Sequence, residues 1–414
     1  MNAICFTIDR LHAGYLGCYG NTWIETPSFD RLASRSVVFD RAVVDSPWLE
    51  RLYRSYWLGC HALCPAVVEP RPTLPALLSQ AGVATTLLTD EPLVVQHPLA
   101  GDFGTIVELE SPKDMQTAED IEQTHFARCF VEIIHWLESA REPFLLWCHL
   151  GGLGKTWDAP LAFRQKYWDE GDPPVPETAD VSERVLPERF DPDELLGITQ
   201  SYAGQVTLLD ACFGAMLEFF DSHADGRLTR ETMLTFTSSR GFPLGEHRRV
   251  GPCDEALLGE LVQVPWMMQA PGVFSPAHSQ ALIEPADLWA TLLDYWHVQP
   301  TPFSPTSCSL TPILQGENAE LRDRLCILGN GGERAIRTPA WHLRVSNPVD
   351  AELSSQCQLY AKPDDRWEVN DVASRCSEVV DGLQTALSQY ESSLPNNRVA
   401  DLPPLHDELR YGME

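Results

Sequence analysis

Short, nearly uninterrupted apolar runs recur along this chain, and segments with helical spacing lie between them. Residues 3–8, 37–44, 84–88, 144–149 and 232–237 read as strands. Residues 26–35, 73–81, 125–139 and 202–220 read as helices, the first opening on Thr26-Pro27 and the second closing on Gly82. A strand that is apolar at every position has no face left for water. Both sides of its sheet must be covered, and alternating helices and strands do this through parallel crossovers. The pattern predicts an α/β fold with a doubly wound, mainly parallel sheet flanked by helices. In such a sheet ligands sit beyond the carboxyl ends of the strands. That rule places Asp9, the segment after His149 and residues 238–240 on one rim.

Residues 156–195 are rich in Pro, Asp and Glu and read as a long surface excursion. From about residue 325 the texture changes. Residues 335–337, 341–345 and 358–360 read as short strands, and 376–391 as a helix. A small C-terminal α+β subdomain with an antiparallel sheet is expected. The predicted division is 1–324, 325–394 and an irregular tail, 395–414.

Composition narrows the function. Lys plus Arg is 30 against 59 Asp plus Glu, a net charge of −29. Nucleic acid and an anionic membrane surface both need clustered cations, so neither is an expected partner. The segment MNAICFTIDRLHAGYLGCYG lacks a basic stretch before a long apolar one, and PFLLWCHL is too short to span a bilayer. A cytoplasmic location is the expectation. The twelve cysteines form no spaced framework and read as reduced and mostly buried. Cys60 and Cys64 flank His61, but no second ligand cluster accompanies them, so zinc is not expected there.

Motifs in a fixed order then point to one family. They are TIDRLHAGYLGCYG at 7–20, TPSFDRLASRSVVFDRAVVDSP at 26–47, PTLPALLSQAG at 72–82 and PFLLWCHL at 143–150. YAGQVTLLDACFGAMLEFF at 202–220, TSSRGFPLGEH at 237–247, VPWMM at 264–268 and ADLWATLLDYWHV at 286–298 follow. SLTPILQGE at 309–317, RAIRTPAWHLRV at 334–345 and QLYAKPDDRWEVNDVA at 358–373 complete the series. The chain resembles the sulfatases of the alkaline phosphatase superfamily over nearly its whole length. The resemblance implies hydrolysis of a sulfate ester, with phosphate esters as the near relative. It also implies a Cys or Ser oxidised to formylglycine, and a calcium ion held by acidic and amide ligands.

This chain keeps the scaffold motifs and departs from the chemical ones. Asp9 matches the first metal ligand, but Arg10 stands at the second. Leu49 falls at the nucleophile position, and the motif's arginine position falls on Tyr53, beside Arg54. Ser239 and Arg240 stand where an Asp and its His or Asn neighbour belong. His149 persists, the substrate-side His position falls on Gly154, and the late Lys position falls on Asp254. No calcium or other cofactor is expected on so few oxygen ligands.

Two ligand positions have thus become arginine. A guanidinium can replace the metal's positive charge and bind a carboxylate through two hydrogen bonds. Asp9, Arg10 and Arg240 are expected to form a metal-free network, with Arg54, Lys155 and His247 near the vestigial pocket. Two readings of that pocket stay open: closure by salt bridges, or retention of a small-anion site. GGLGKT at 151–156 fails the phosphate-loop pattern, whose first glycine position is His149. Asp364, Asp365, Glu368 and Asp371 read as a solvated turn. Trp48, Tyr53, Tyr56 and Trp57 read as core filling a vacated site. The expected protein is a catalytically inactive member that binds an anion or a protein partner. The alternatives are an active sulfate or phosphate ester hydrolase with rearranged ligands, and a structural or regulatory partner of an active paralogue.

Overall fold

The protein is described by a computed structural model covering all residues except 66–70, 113–115, 272–275, 300–305, 347–355, 397, 413 and 414. Its strands are β1 (Asn2–Ile8), β2 (Val37–Ala42), β3 (Ala84–Thr89), β4 (Thr105–Glu108), β5 (Phe144–Leu150), β6 (Arg184–Val185) and β7 (Thr232–Ser238). They continue as β8 (Arg249–Val250), β9 (Trp266–Gln269), β10 (Ala277–Ile283), β11 (Leu325–Leu328), β12 (Arg334–Arg337), β13 (Trp341–Ser346) and β14 (Gln356–Ala361). The main sheet has the order β10-β2-β9-β7-β1-β5-β3-β4. Every neighbouring pair in it is parallel except those of β9, which runs antiparallel to both β7 and β2.

Side-chain alternation explains the continuous apolar strands. Ala3, Cys5, Leu145 and Trp147 face one core with the helices Leu49–Leu58, Leu74–Gln80 and Pro285–Tyr295. Ile4, Phe6, Ile8, Leu146, Cys148 and Leu150 face the other, with the helices Pro27–Ala33, His125–Ser139 and Pro192–Ser222. The last of these begins ten residues before the expected start. Asp191 caps it, its side chain accepting from the Asp193 amide, and Pro192 opens it.

The segment 156–195 is more than a surface excursion. Trp157, Ala159, Arg164, Ala179 and Leu186 are buried, and Arg164 donates to the carbonyls of Trp157 and Pro176. The second sheet, β11-β12-β13-β14, is antiparallel and covered by the helix Ser377–Ser393. Leu325, Ile327 and Ala335 from its other face join the core of the main domain. Residues 395–414 are not wholly irregular, since they include the short helix Asp407–Tyr411. All twelve cysteines are free, and seven of them are buried.

Candidate functional site

Parallel register gathers the site. Ile8 pairs with both Leu150 and Ser238, and Thr89 pairs with His149, so four strands end on one rim. The next residues, Asp9, Asp90, Gly151 and Ser239, emerge side by side. Gly241 lets the segment after Arg240 approach the neighbouring backbone, because a Cβ there would lie 2.0 Å from the Glu260 carbonyl oxygen. Arg10 has φ of 67°, a left-handed conformation that costs a non-glycine residue about 1 kcal/mol. Its carbonyl accepts from the Tyr202 hydroxyl at 2.7 Å, which holds the turn in place.

Asp9, Arg10, Ser239 and Arg240 come together, and Asp254 joins them. Arg240 donates to both oxygens of Asp9, from Nε at 2.9 Å and Nη2 at 3.1 Å, and Ser239 Oγ donates to Oδ1. Arg240 Nη1 reaches Asp254 at 2.7 Å and the Pro47 carbonyl at 3.0 Å. Arg10 grips Asp254 bidentately, at 2.6 and 2.9 Å, and its Nε lies 3.9 Å from Asp9. Two carboxylates and two guanidiniums therefore cancel in charge. Burial opposes the Asp9 anion, but Arg240 and Arg10 outweigh it and hold the carboxyl well below the usual range. Reciprocally, Asp9 and Asp254 push the Arg240 guanidinium up despite burial.

This arrangement does not fit calcium. A calcium ion takes about six to eight oxygen ligands. Here the one matching carboxylate already accepts from a hydroxyl and a guanidinium, and the positions beside it carry positive charge. The residue expected at the nucleophile position is equally plain. Leu49 opens the helix Leu49–Leu58, is buried, and offers no atom that attacks an ester. His149 is fully buried beneath the network, its Nδ1 2.7 Å from the Tyr53 hydroxyl, and its Nε2 has no hydrogen-bond partner. Burial lowers its pKa.

Three residues expected near the pocket take no part in this network. Arg54 turns away and donates to the Cys64 and Pro65 carbonyls, because it sits on the outer side of a helix whose Leu52, Tyr53, Tyr56 and Trp57 face inward. Lys155 donates to the Asp90 carbonyl at 2.6 Å and pairs with Glu91 at 3.2 Å, so its charge is spent outside the network. His247 bonds Glu260 at 2.7 Å and the Glu368 carbonyl at 2.9 Å, at the seam with the second sheet. Glu368 is no member of a solvated turn. It is buried, and its carboxylate takes His342, Lys362 and the Gly259 amide. The aromatic cluster is core: Tyr53, Tyr56 and Trp57 are enclosed against Trp147. The roles of Asp254, Asp90 and Glu91 at the rim were not foreseen. Asp90 and Glu91 had one signal, their place just after β3, and Asp254 had only its match to the family's late Lys position.

The fold comes first, and it is the sulfatase- and alkaline phosphatase-like fold. Two solved structures superpose with TM-scores of 0.74. One is a protein in complex with its substrate D-glucosamine-2-N,6-O-disulfate, at 16% identity, covering 97% of this chain and 99% of that one. The other is the phosphonate monoester hydrolase of Agrobacterium radiobacter, at 14% identity, covering 97% and 96%. The sulfatase family model matches residues 1–298, and the chain belongs to the sulfatase family. Iduronate 2-sulfatase of Mus musculus is 25% identical over an alignment 346 residues long, and the match covers 67% of this chain and 60% of that protein. The chain thus spans 60% of that relative's length.

Proposed function

We propose that this sulfatase-family chain is a pseudoenzyme, a protein that keeps the hydrolase scaffold and does not hydrolyse esters. The observation that carries this is the charge-neutral network of Asp9, Arg240, Asp254 and Arg10 at the rim where the family's metal belongs. A hydrolase of this kind needs a cation to stabilise charge on the transferring group and a nucleophile to attack it. Here the carboxylate that matches a metal ligand is committed to arginine, and the nucleophile position is leucine. Full pairing of both guanidiniums also supports closure over a retained small-anion site. The twelve free cysteines support a reducing, cytoplasmic setting.

The test is direct. The purified chain is incubated with 4-nitrophenyl sulfate and 4-nitrophenyl phosphate, with and without calcium, magnesium or manganese. No hydrolysis above buffer is expected under any condition. Turnover that disappears in Asp9→Ala would overturn the proposal and establish the rearranged-ligand hydrolase.

A further inference from the structure

One cluster of potential metal ligands lies outside this network, at the neighbouring strand end. Asp90 follows β3, while His125 and Cys129 share one face of the helix His125–Ser139, four residues apart. All three are buried, and one donor atom from each lies within 4.8 Å of the others. His125 Nε2 sits 2.6 Å from Asp90 Oδ2 and 3.5 Å from Cys129 Sγ.

We propose that Asp90, His125 and Cys129 form a binding site for zinc or a similar divalent transition metal. The donor set is the argument. One thiolate, one imidazole and one carboxylate suit zinc and do not suit calcium or magnesium. Tetrahedral ligands at usual zinc distances place sulfur and nitrogen about 3.5 Å apart and nitrogen and oxygen about 3.3 Å apart. The first separation is already met. The second requires the Asp90 carboxylate to retreat by less than an ångström, on a residue whose other oxygen is fixed by the Gly151 amide at 2.7 Å.

Supporting contacts hold the rest. The Asp158 carboxylate accepts from the His125 amide at 2.6 Å, and Gln205 donates to its other oxygen at 3.0 Å. These bonds fix the backbone at the start of the helix that carries His125 and Cys129. Charge also balances. Zinc binding removes the Cys129 thiol proton and takes His125 Nε2, which leaves the ring's one hydrogen on Nδ1. The dication with one thiolate and one carboxylate then sums to zero, as a buried site requires. Lys155, the nearby cation, is already matched by Glu91. Three protein ligands leave a fourth position for water. The site shares no ligand with the Asp9 network, so it stands whether or not the pseudoenzyme reading does.

The test uses the full chain produced in medium supplemented with zinc, or with cobalt(II) in its place. X-ray absorption at the zinc edge of the wild-type protein should give about one metal per chain, with one sulfur at about 2.3 Å and the other ligands nitrogen or oxygen at about 2.0 Å. The cobalt protein should show thiolate-to-metal charge-transfer absorption that is lost in Cys129→Ser and His125→Gln and kept in Cys64→Ser. The proposal is overturned by a protein without zinc, by a first shell with no sulfur or several, or by a cobalt band that survives Cys129→Ser.

Discussion

Replacing Arg240 by methionine removes a charge and keeps most of the side chain's volume. Asp9 then loses two hydrogen bonds, at 2.9 and 3.1 Å, and its main counter-charge, while staying almost fully buried. Opposite charges about 4 Å apart at an effective dielectric of about 20 attract by about 4 kcal/mol. Breaking a buried pair from one side costs about 3–5 kcal/mol. Asp254 keeps Arg10, and Arg10 retains a weak hold on Asp9, so the expected loss is about 3–4 kcal/mol. For a chain of 414 residues this lowers Tm by about 3–5 °C, readable by scanning calorimetry at pH 7. The pH dependence sharpens the test. In the wild type, the Asp9 pKa is depressed. Its contribution is therefore intact above the unfolded value near 4, and is lost only at still lower pH. In Arg240→Met, burial dominates and the Asp9 pKa rises above that value. The variant regains stability as pH falls from 7 to 5, and its deficit shrinks. The double variant Asp9→Asn with Arg240→Met should lose at least about 1 kcal/mol less than the sum of the single variants. A loss below about 1 kcal/mol, or a deficit equal at pH 5 and pH 8, would refute the reasoning.

Two further perturbations follow from buried acids elsewhere. Burial pushes Glu284 up to about 7 and Asp45 up to about 6, so the native state holds protons that the unfolded chain releases near pH 4. Their stabilising contribution is complete below that value and falls away as pH rises towards 7, by about 1.4 kcal/mol per unit for each fully titrating group. Glu284→Gln removes one such group, so its Tm should rise relative to wild type between pH 5 and pH 8; a constant gap would contradict the assignment. Glu368→Gln discharges the carboxylate that binds His342 at 2.6 Å and Lys362 at 2.9 Å across from Gly259. It should cost about 3 kcal/mol and speed proteolysis within residues 325–394. Unchanged cleavage there would show that the seam does not depend on this charge.

Much of the scaffold was legible because a two-sided sheet writes itself into sequence. Phe144–Leu150 is apolar at every position except His149 and buried throughout. β10 was less legible, because AHSQALI at the sheet edge is exposed over most of its first half and reads as loop. The antiparallel β9 has only four residues, and nothing in WMMQ reports its direction. At the site, Asp9, Ser239 and Arg240 were readable as residues just past strand ends in the family's order. Asp254 was readable as the residue at the family's late Lys position but not as the arginines' partner, since it lies 244 residues from Arg10 and its loop is placed by tertiary packing. Arg54 was misplaced for a local reason. Adjacent residues on a helix point about 100° apart, so when Tyr53 faces His149, Arg54 faces away. His247 was misplaced for a distant one: its partner carbonyl belongs to Glu368, 121 residues further on.

The claim that most needs testing is that arginine has replaced the metal at Asp9. Equilibrium dialysis of the purified chain against radioactive calcium reads this without reference to any substrate. The account predicts no saturable calcium binding up to about millimolar concentrations, the weak end of calcium sites in proteins, and the same null result for Asp9→Asn. About one calcium bound per chain, lost in Asp9→Asn, would contradict it.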